Sequence, residues 1–154
     1  MEPSPMHGET EHFTIVPFFE DLEAMEIAEM LEISKPVNVK AGDVIIEEGM
    51  PGDGLYIISQ GKFAIVKGSG ENETILARLS QLSFFGEMSL ISAAACAATV
   101  RCEENGRLTK FPAAEFNERL EQNHLVAFKV VRSIARTLAD RLTRAGARIA
   151  VGGE

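Results

Sequence analysis

The sequence has no tryptophan, one tyrosine and only two cysteines, Cys96 and Cys102, among its 154 residues. Two cysteines do not make a disulfide framework, so a reducing cytoplasm is the expected compartment. Residues 1–12 hold neither a basic region nor an apolar core, which argues against a secretory signal. No apolar run reaches the roughly 18 residues that a membrane-spanning helix needs. We therefore expect a cytoplasmic protein with no membrane partner.

Positive charge and catalytic motifs are also scarce. The chain has 15 Lys and Arg against 23 Asp and Glu, a net charge of −8, which disfavours a general nucleic-acid binder. The three histidines, His7, His12 and His124, show no spacing typical of a metal site or a triad. Walker, dinucleotide-binding and Gly-x-Ser-x-Gly motifs are missing from the sequence. We predict no catalytic residues, no metal and no enzymatic activity.

The charges are distributed unevenly along the chain. Residues 1–32 hold nine acidic side chains and no Lys or Arg, whereas residues 128–154 hold six basic ones. Solvated faces of amphipathic helices are the simpler interpretation. The alternative is a basic C-terminal segment that reaches an anionic partner.

What the chain does have is 45% hydrophobic residues, enough for one core. Residues 20–32 have mostly helical spacing, and Phe18 and Phe19 just before them are expected to pin this helix to the core. From 37 to 111, short Val-, Ile- and Phe-rich runs alternate with Gly, Asn and Asp clusters. That pattern is typical of an all-β sandwich or small barrel, and it predicts hairpins at Gln60-Gly61 and at residues 68–72.

Helical periodicity returns after Pro112, first in a short helix and then in a long one. The long helix contains a heptad seam whose members are Phe128, Val131, Ala135, Leu138, Leu142, Ala145 and Ile149. This seam extends too far for one small barrel to cover. It predicts a homodimer interface formed by Phe128, Val131, Ala135, Leu138, Leu142 and Ala145.

Two stretches resemble the cyclic-nucleotide-binding domain family. One is residues 41–66, AGDVIIEEGMPGDGLYIISQGKFAIV, and the other is residues 84–100, FFGEMSLISAAACAATV. Residues 84–100 resemble the phosphate-binding cassette of that family. The resemblance implies an antiparallel jelly-roll β-barrel at about 36–111 with a short N-terminal helix, then a short and a long C-terminal helix at about 112–147. The domain would span 13–147, between tails at 1–12 and 148–154.

The resemblance also implies a ligand site in the cassette. Its candidate residues are Phe85, Gly86, Glu87, Met88, Ser89, Cys96, Ala97 and Ala98. Gly86 permits a close backbone approach, and amides of the turn after it favour an anion. In the family the carboxylate at Glu87 accepts a hydrogen bond from the ribose of the nucleotide. The alternative is that Glu87 only caps local amides.

The cassette departs from its family at Cys96, where the family has an arginine that pairs with the cyclic phosphate. Arg101 lies an odd number of residues away on the same predicted strand and should face the opposite side. Arg78 belongs to a different predicted strand, which leaves its position open. A hydrogen bond to a charged group contributes about 1.5–3 kcal/mol, so loss of the family's arginine should weaken nucleotide binding by at least roughly 10- to 100-fold. Cys96 itself is either a redox sensor or a small buried hydrophobe.

The sequence leaves two functions open. One is a stand-alone regulatory or sensory module with weak or altered ligand preference, for cAMP, cGMP or another small ligand, that acts on a separate effector protein. The other is a non-sensing scaffold that dimerises through its long helix. Transcription regulators of the family carry a helix-turn-helix after that helix, whereas this sequence ends at Glu154, so direct DNA binding is not expected.

Overall fold

A computed structural model of the chain describes residues 16–152, with side chains described up to residue 146. The predicted tail at 1–12 lies outside the described residues, and so do the first residues of the predicted domain. Three α-helices flank a set of antiparallel strands. They are α1 (Ala24–Leu31), α2 (Ala113–Glu121) and α3 (Leu125–Gly152). The strands are β1 (Lys35–Val39), β2 (Val44–Ile46), β3 (Gly54–Lys67), β4 (Thr74–Leu79), β5 (Phe84–Phe85) and β6 (Thr99–Pro112).

The two longest strands, β3 and β6, pair with each other and organise the sheet. The order is β1-β6-β3-β4, while β2 pairs with β6 and β5 with β3. The Gly-rich segment at 68–72 joins β3 to β4, so the hairpin predicted there is confirmed.

The hairpin predicted at Gln60-Gly61 is wrong, because both residues lie inside the continuous strand β3. Gly61 has a φ of +102° and faces Gly106 of β6 across a series of register shifts. A Cβ atom at Gly61 would lie 2.7 Å from the Gly106 Cα. Two facing glycines thus let the strands bulge and approach closely, and glycine marks a bulge here rather than a turn.

The core has two parts, one inside the strands and one between the strands and the helices. The inner part includes Ile58, Phe63 and Leu108, which are fully buried. The outer part holds Phe18 and Phe19, as predicted, in a 3-10 turn before α1. Edge-to-face contacts place the Phe18 ring 4.8 Å from Phe84 and the Phe19 ring 5.5 Å from Phe111.

The helix α3 continues to Gly152, beyond the predicted end near residue 147, so residues 148–152 of the predicted tail are helical. Glycine in a helix interior costs about 1 kcal/mol relative to alanine, and one such residue, Gly146, does not stop a 28-residue helix. Gly153 and Glu154 lie outside the described residues.

The uneven charges meet within the molecule. Acidic side chains around α1 pair with basic ones on α2, on α3 and on the connection between them. Both interpretations of the asymmetry missed this arrangement. The pairs are Asp21–Arg136 (2.7 Å), Glu26–Lys129 (2.7 Å), Glu32–Arg119 (3.3 Å) and Glu29–His124 (3.5 Å). We call these four pairs the helix clasp.

Candidate functional site

The cassette begins where β5 ends. Phe84 and Phe85 pair with Ile57 and Tyr56 of β3, and Gly86 then turns the chain with a φ of +82°. A Cβ at Gly86 would collide with the carbonyl oxygen of Gly54, so only glycine fits this backbone. A single 3-10 turn, Glu87–Leu90, follows.

This turn forms one wall of a cavity of about 550 Å³. The cavity also contacts β2, β3, β4 and β6, and its lining is mostly apolar. The lining residues are Ile46, Ile65, Leu79, Ser83, Phe84, Phe85, Gly86, Glu87, Met88, Cys96, Ala97, Ala98, Val100 and Arg141. Seven of the eight predicted site residues are therefore brought together. We call this space the barrel cavity.

Ser89 is the predicted site residue that the barrel cavity does not include. Its hydroxyl donates a hydrogen bond of 2.7 Å to the Gly86 carbonyl oxygen, and this bond holds the turn together. Ser89 lines a neighbouring cavity of about 280 Å³, which shares Gly86, Met88 and Cys96 with the barrel cavity. In the structure its hydroxyl thus serves the backbone of the cassette.

Glu87 is partly buried at the wall of the barrel cavity. Among the described residues, its carboxylate makes neither an ion pair nor a hydrogen bond to a backbone amide. The interpretation of Glu87 as a cap of local amides therefore has no support in this geometry. A carboxylate at an apolar wall remains able to accept a hydrogen bond from a ligand.

Cys96 occupies the cassette position where the resemblance places an arginine. Its amide donates to the Met50 carbonyl oxygen at 2.8 Å, and its own carbonyl oxygen accepts from Gly49 at 2.9 Å. Burial raises the pKa of the Cys96 thiol, and the negative charge of Asp53 adds to this rise. The neutral thiol is thus favoured, which argues against a reactive sensor. Cys96 and Cys102 are both free.

Arg101 and Arg78 are held by acidic partners outside this cavity. Arg101 lies outside the lining and forms two hydrogen bonds with Glu73 at 2.5 and 3.1 Å. The predicted strand shared by Cys96 and Arg101 is wrong, because β6 begins at Thr99 and Cys96 precedes it. Arg78 pairs with Glu103 at 3.1 Å. Among the described residues, the cation that lines the barrel cavity is Arg141 of α3. The sequence analysis did not include Arg141 among the candidate site residues.

A polar cluster supports the cassette from β3. Tyr56 stacks on Phe85 with ring centroids 5.1 Å apart, and its hydroxyl donates to Asp53 at 2.8 Å. Lys110 donates to the other oxygen of Asp53 at 2.7 Å. Burial by itself raises the pKa of Asp53, but the two hydrogen bonds outweigh it, so the pKa of Asp53 is lowered. Burial and the negative charge of Asp53 both raise the pKa of Tyr56. The sequence alone gives no signal for this cluster, because it joins two distant strands.

The predicted dimer residues form a partly unpartnered stripe on α3. Phe128 and Leu142 are 46% and 72% exposed, and Ala135 and Ala145 are exposed as well. Val131 and Leu138 are partly buried against the core of their own chain. The helix contacts its own domain chiefly through a neighbouring stripe, whose members are Val126, Val130 and Ile134. Ile149 lies beyond the described side chains.

The described part of the chain was searched for membrane-spanning helices and for clusters of metal-binding side chains. None of its helices is long and apolar enough to cross a membrane. Within the same residues, no group of three or more His, Cys, Asp or Glu side chains is arranged to hold a metal ion.

Comparison with known proteins supports the fold. The N-terminal domain of a transcriptional regulator from Streptomyces coelicolor superposes with a TM-score of 0.77 at 26% identity, covering 87% of this chain and 94% of that one. The regulatory subunit of a cAMP-independent protein kinase A from Trypanosoma brucei gives 0.68 at 22% identity, covering 86% and 46%. A triple mutant of that subunit, in which one substitution introduces an arginine, is bound to cAMP.

Sequence relatives point in the same direction. The cAMP-dependent protein kinase regulatory subunit of Dictyostelium discoideum is 34% identical over 94 residues, covering 58% of this chain and 28% of the relative. The chain spans between 21% and 28% of the length of the curated relatives it matches. Residues 36–123 match the family described as the cyclic nucleotide-binding domain. Together with the β-roll and the cassette at its cavity, this match establishes that the chain belongs to the cyclic nucleotide-binding domain family.

Proposed function

We propose that this chain is a regulatory or sensory module whose ligand occupies the barrel cavity, with weak or altered preference for cyclic nucleotides. The observation that carries the proposal is the Cys96 thiol at the wall of that cavity. It stands where the family resemblance places the phosphate-binding arginine. Arg78 and Arg101 are paired elsewhere and do not replace that arginine. Arg141, which does line the cavity, belongs to α3 and not to the cassette.

The test is calorimetric titration with cAMP and cGMP. We expect no saturable binding to the wild type at micromolar ligand. Cys96→Arg should strengthen binding by roughly 10- to 100-fold, because a guanidinium would then meet the cyclic phosphate beside Glu87.

Cys96→Gln is the matched control, since it lengthens the side chain without adding charge, and it should not gain binding. Tight cAMP binding by the wild type would contradict the proposal. If folded Cys96→Arg binds neither nucleotide, the cavity has diverged by more than one residue.

We also propose that α3 carries a homodimer contact, which the exposed Leu142 and Phe128 support. The same exposed stripe favours a second function, a scaffold that uses the fold without sensing a ligand. Native mass spectrometry of the protein from its own host separates the two. A co-purified small molecule supports the sensor, and an empty cavity with a bound protein partner supports the scaffold. A separate effector protein and a cytoplasmic location stay predictions.

A further inference from the structure

The positive charge at the barrel cavity comes from the long helix. Arg141 projects from α3, whereas the remaining lining belongs to the strands and the cassette. Most of that lining is apolar. Among the described residues, Glu87 contributes the carboxylate of the lining. A positive charge and a negative charge thus border one apolar space.

The Arg141 guanidinium is available for a ligand. Along α3, Lys129 and Arg136 are both held by acidic residues around α1. Among the side chains that the structure describes, Arg141 forms no ion pair at all, not even with Glu87 across the cavity. Arg141 is exposed, so solvent screens the outer side of such an ion pair, whereas the apolar walls exclude water on the side of the cavity.

We infer that Arg141 supplies the positive charge for the ligand of the barrel cavity, and that this ligand is an organic anion with an apolar body. One guanidinium matches one anionic group, and Glu87 disfavours a second negative charge nearby. The apolar walls take the body of the ligand, and Glu87 accepts a hydrogen bond from any donor on it. This inference rests on the proposed function, since it requires that the barrel cavity be a ligand site.

The position of Arg141 links the ligand to the helix. Arg141 directly precedes Leu142 of the proposed dimer stripe, so the two residues belong to one turn of α3. By thermodynamic reciprocity, a ligand that favours one position of α3 must bind more tightly when the helix is already held there.

The test compares two fluorescent probes with one apolar body. They are 1-anilinonaphthalene-8-sulfonate, an anion, and N-phenyl-1-naphthylamine, its uncharged counterpart. Each is titrated into the wild type, Arg141→Gln and Arg144→Gln. Arg144 is the matched control, because it is exposed on the same helix and does not line the cavity. Protection of Cys96 from iodoacetamide, mapped by mass spectrometry, locates each probe, and the buried Cys102 serves as an internal reference.

We expect both probes to protect Cys96 in the wild type. Arg141→Gln should weaken binding of the sulfonate probe about tenfold. The affinity for the neutral probe should stay within about twofold of the wild-type value. Arg144→Gln should change neither. An unchanged ratio of the two affinities in Arg141→Gln would overturn the role of Arg141 while leaving the cavity as a ligand site. If neither probe protects Cys96 in the wild type, the inference and the proposed function both fail.

Discussion

At the scale of single residues, Gly86 and Glu87 show how a ligand site differs from a structural turn. Gly86 is fixed by the Gly54 carbonyl oxygen, which leaves no room for a Cβ. Glu87 follows it into the cavity wall, where its carboxylate has no hydrogen-bond donor among the described residues. The glycine therefore serves the fold, and the glutamate is free to serve a ligand.

This difference predicts that Glu87→Ala leaves the unliganded protein as stable as the wild type or makes it more stable. The substitution removes a carboxylate from an apolar wall without breaking a bond. We expect the melting temperature to fall by no more than about 2 °C, or to rise. Circular dichroism melts of the ligand-free proteins measure it. Glu73→Ala is the control, and it should lower the melting temperature because it breaks the two hydrogen bonds to Arg101. A fall of several degrees for Glu87→Ala would instead identify Glu87 as a structural cap.

The sequence singles out cassette residues that the structure brings to one cavity, because they are close together along the chain. Phe85 ends β5, Gly86 to Met88 follow it directly, and Cys96 to Ala98 lie on the returning segment. Arg141 is a different case, because its place at the cavity depends on the direction in which α3 crosses the strands. Neither heptad spacing nor composition reports that direction. Residues contributed by distant elements thus require the structure.

At the scale of elements, the hairpin predicted at Gln60-Gly61 shows why local signals confuse turns with bulges. A positive φ suits both a tight turn and a bulge within a long strand, and glycine provides it in either setting. The residue that faces the glycine distinguishes a bulge from a turn, and here Gly106 of β6 lies opposite Gly61. That pairing spans more than 40 residues of sequence, so a local pattern does not contain it.

The helix clasp joins four acidic residues of the start of the chain to basic side chains of the C-terminal helical region. Within it, Glu26 and Lys129 are only 16% and 26% exposed, less than most pairs on the surface. The hydrogen bond from Lys129 lowers the pKa of Glu26, with a further contribution from the Glu23 amide. A lowered folded-state pKa means that ionised Glu26 stabilises the fold.

We predict that Lys129→Gln lowers the free energy of unfolding at pH 7 by roughly 1 kcal/mol. The contribution of Glu26 is fully present above its ordinary pKa of 4.5 and is lost as pH falls through the lower folded-state pKa. The stability difference between wild type and variant should therefore shrink below about pH 4.5. Urea denaturation followed by circular dichroism across this range measures it.

The control for this prediction is Lys62→Gln, which removes a pair with Glu104 in which both side chains are 62% exposed. It should change stability by much less, since solvent screens that pair. Equal effects of the two substitutions at pH 7 would show that the clasp adds nothing beyond ordinary surface charge.

At the scale of the whole molecule, α3 takes part in three arrangements at once. One stripe packs on the core through Val130 and Ile134, and another closes the helix clasp through Lys129 and Arg136. A third stripe, with Ala135 and Leu142, is exposed. The heptad pattern identified that third stripe but missed the stripe that faces the core. The residues that pack on the barrel, such as Val130 and Ile134, repeat with the same helical period, and each precedes a seam residue by one position.

The exposed stripe predicts a homodimer in solution. From Ala135 to Ala145 the helix advances about 15 Å, and its small residues let another helix approach closely. Burying a leucine side chain contributes about 1.5–3 kcal/mol, and a two-fold interface buries Leu142 twice. Light scattering at micromolar concentration should therefore report a dimer. Ala135→Glu with Leu142→Glu should raise the dissociation constant by at least roughly 100-fold and yield a folded monomer.

The choice of positions separates dimer loss from unfolding. Leu138 is also in the seam but packs partly on its own core, so a charge there would disturb the fold of the monomer. Ala135 and Leu142 are exposed, and their substitution should leave the melting temperature of the monomer nearly unchanged. Arg144→Glu places the same carboxylate on the outward face of α3 and should keep the dimer. A wild type that stays monomeric at high micromolar concentration would show that Leu142 faces solvent, and regulation through this helix would then have to act within one chain.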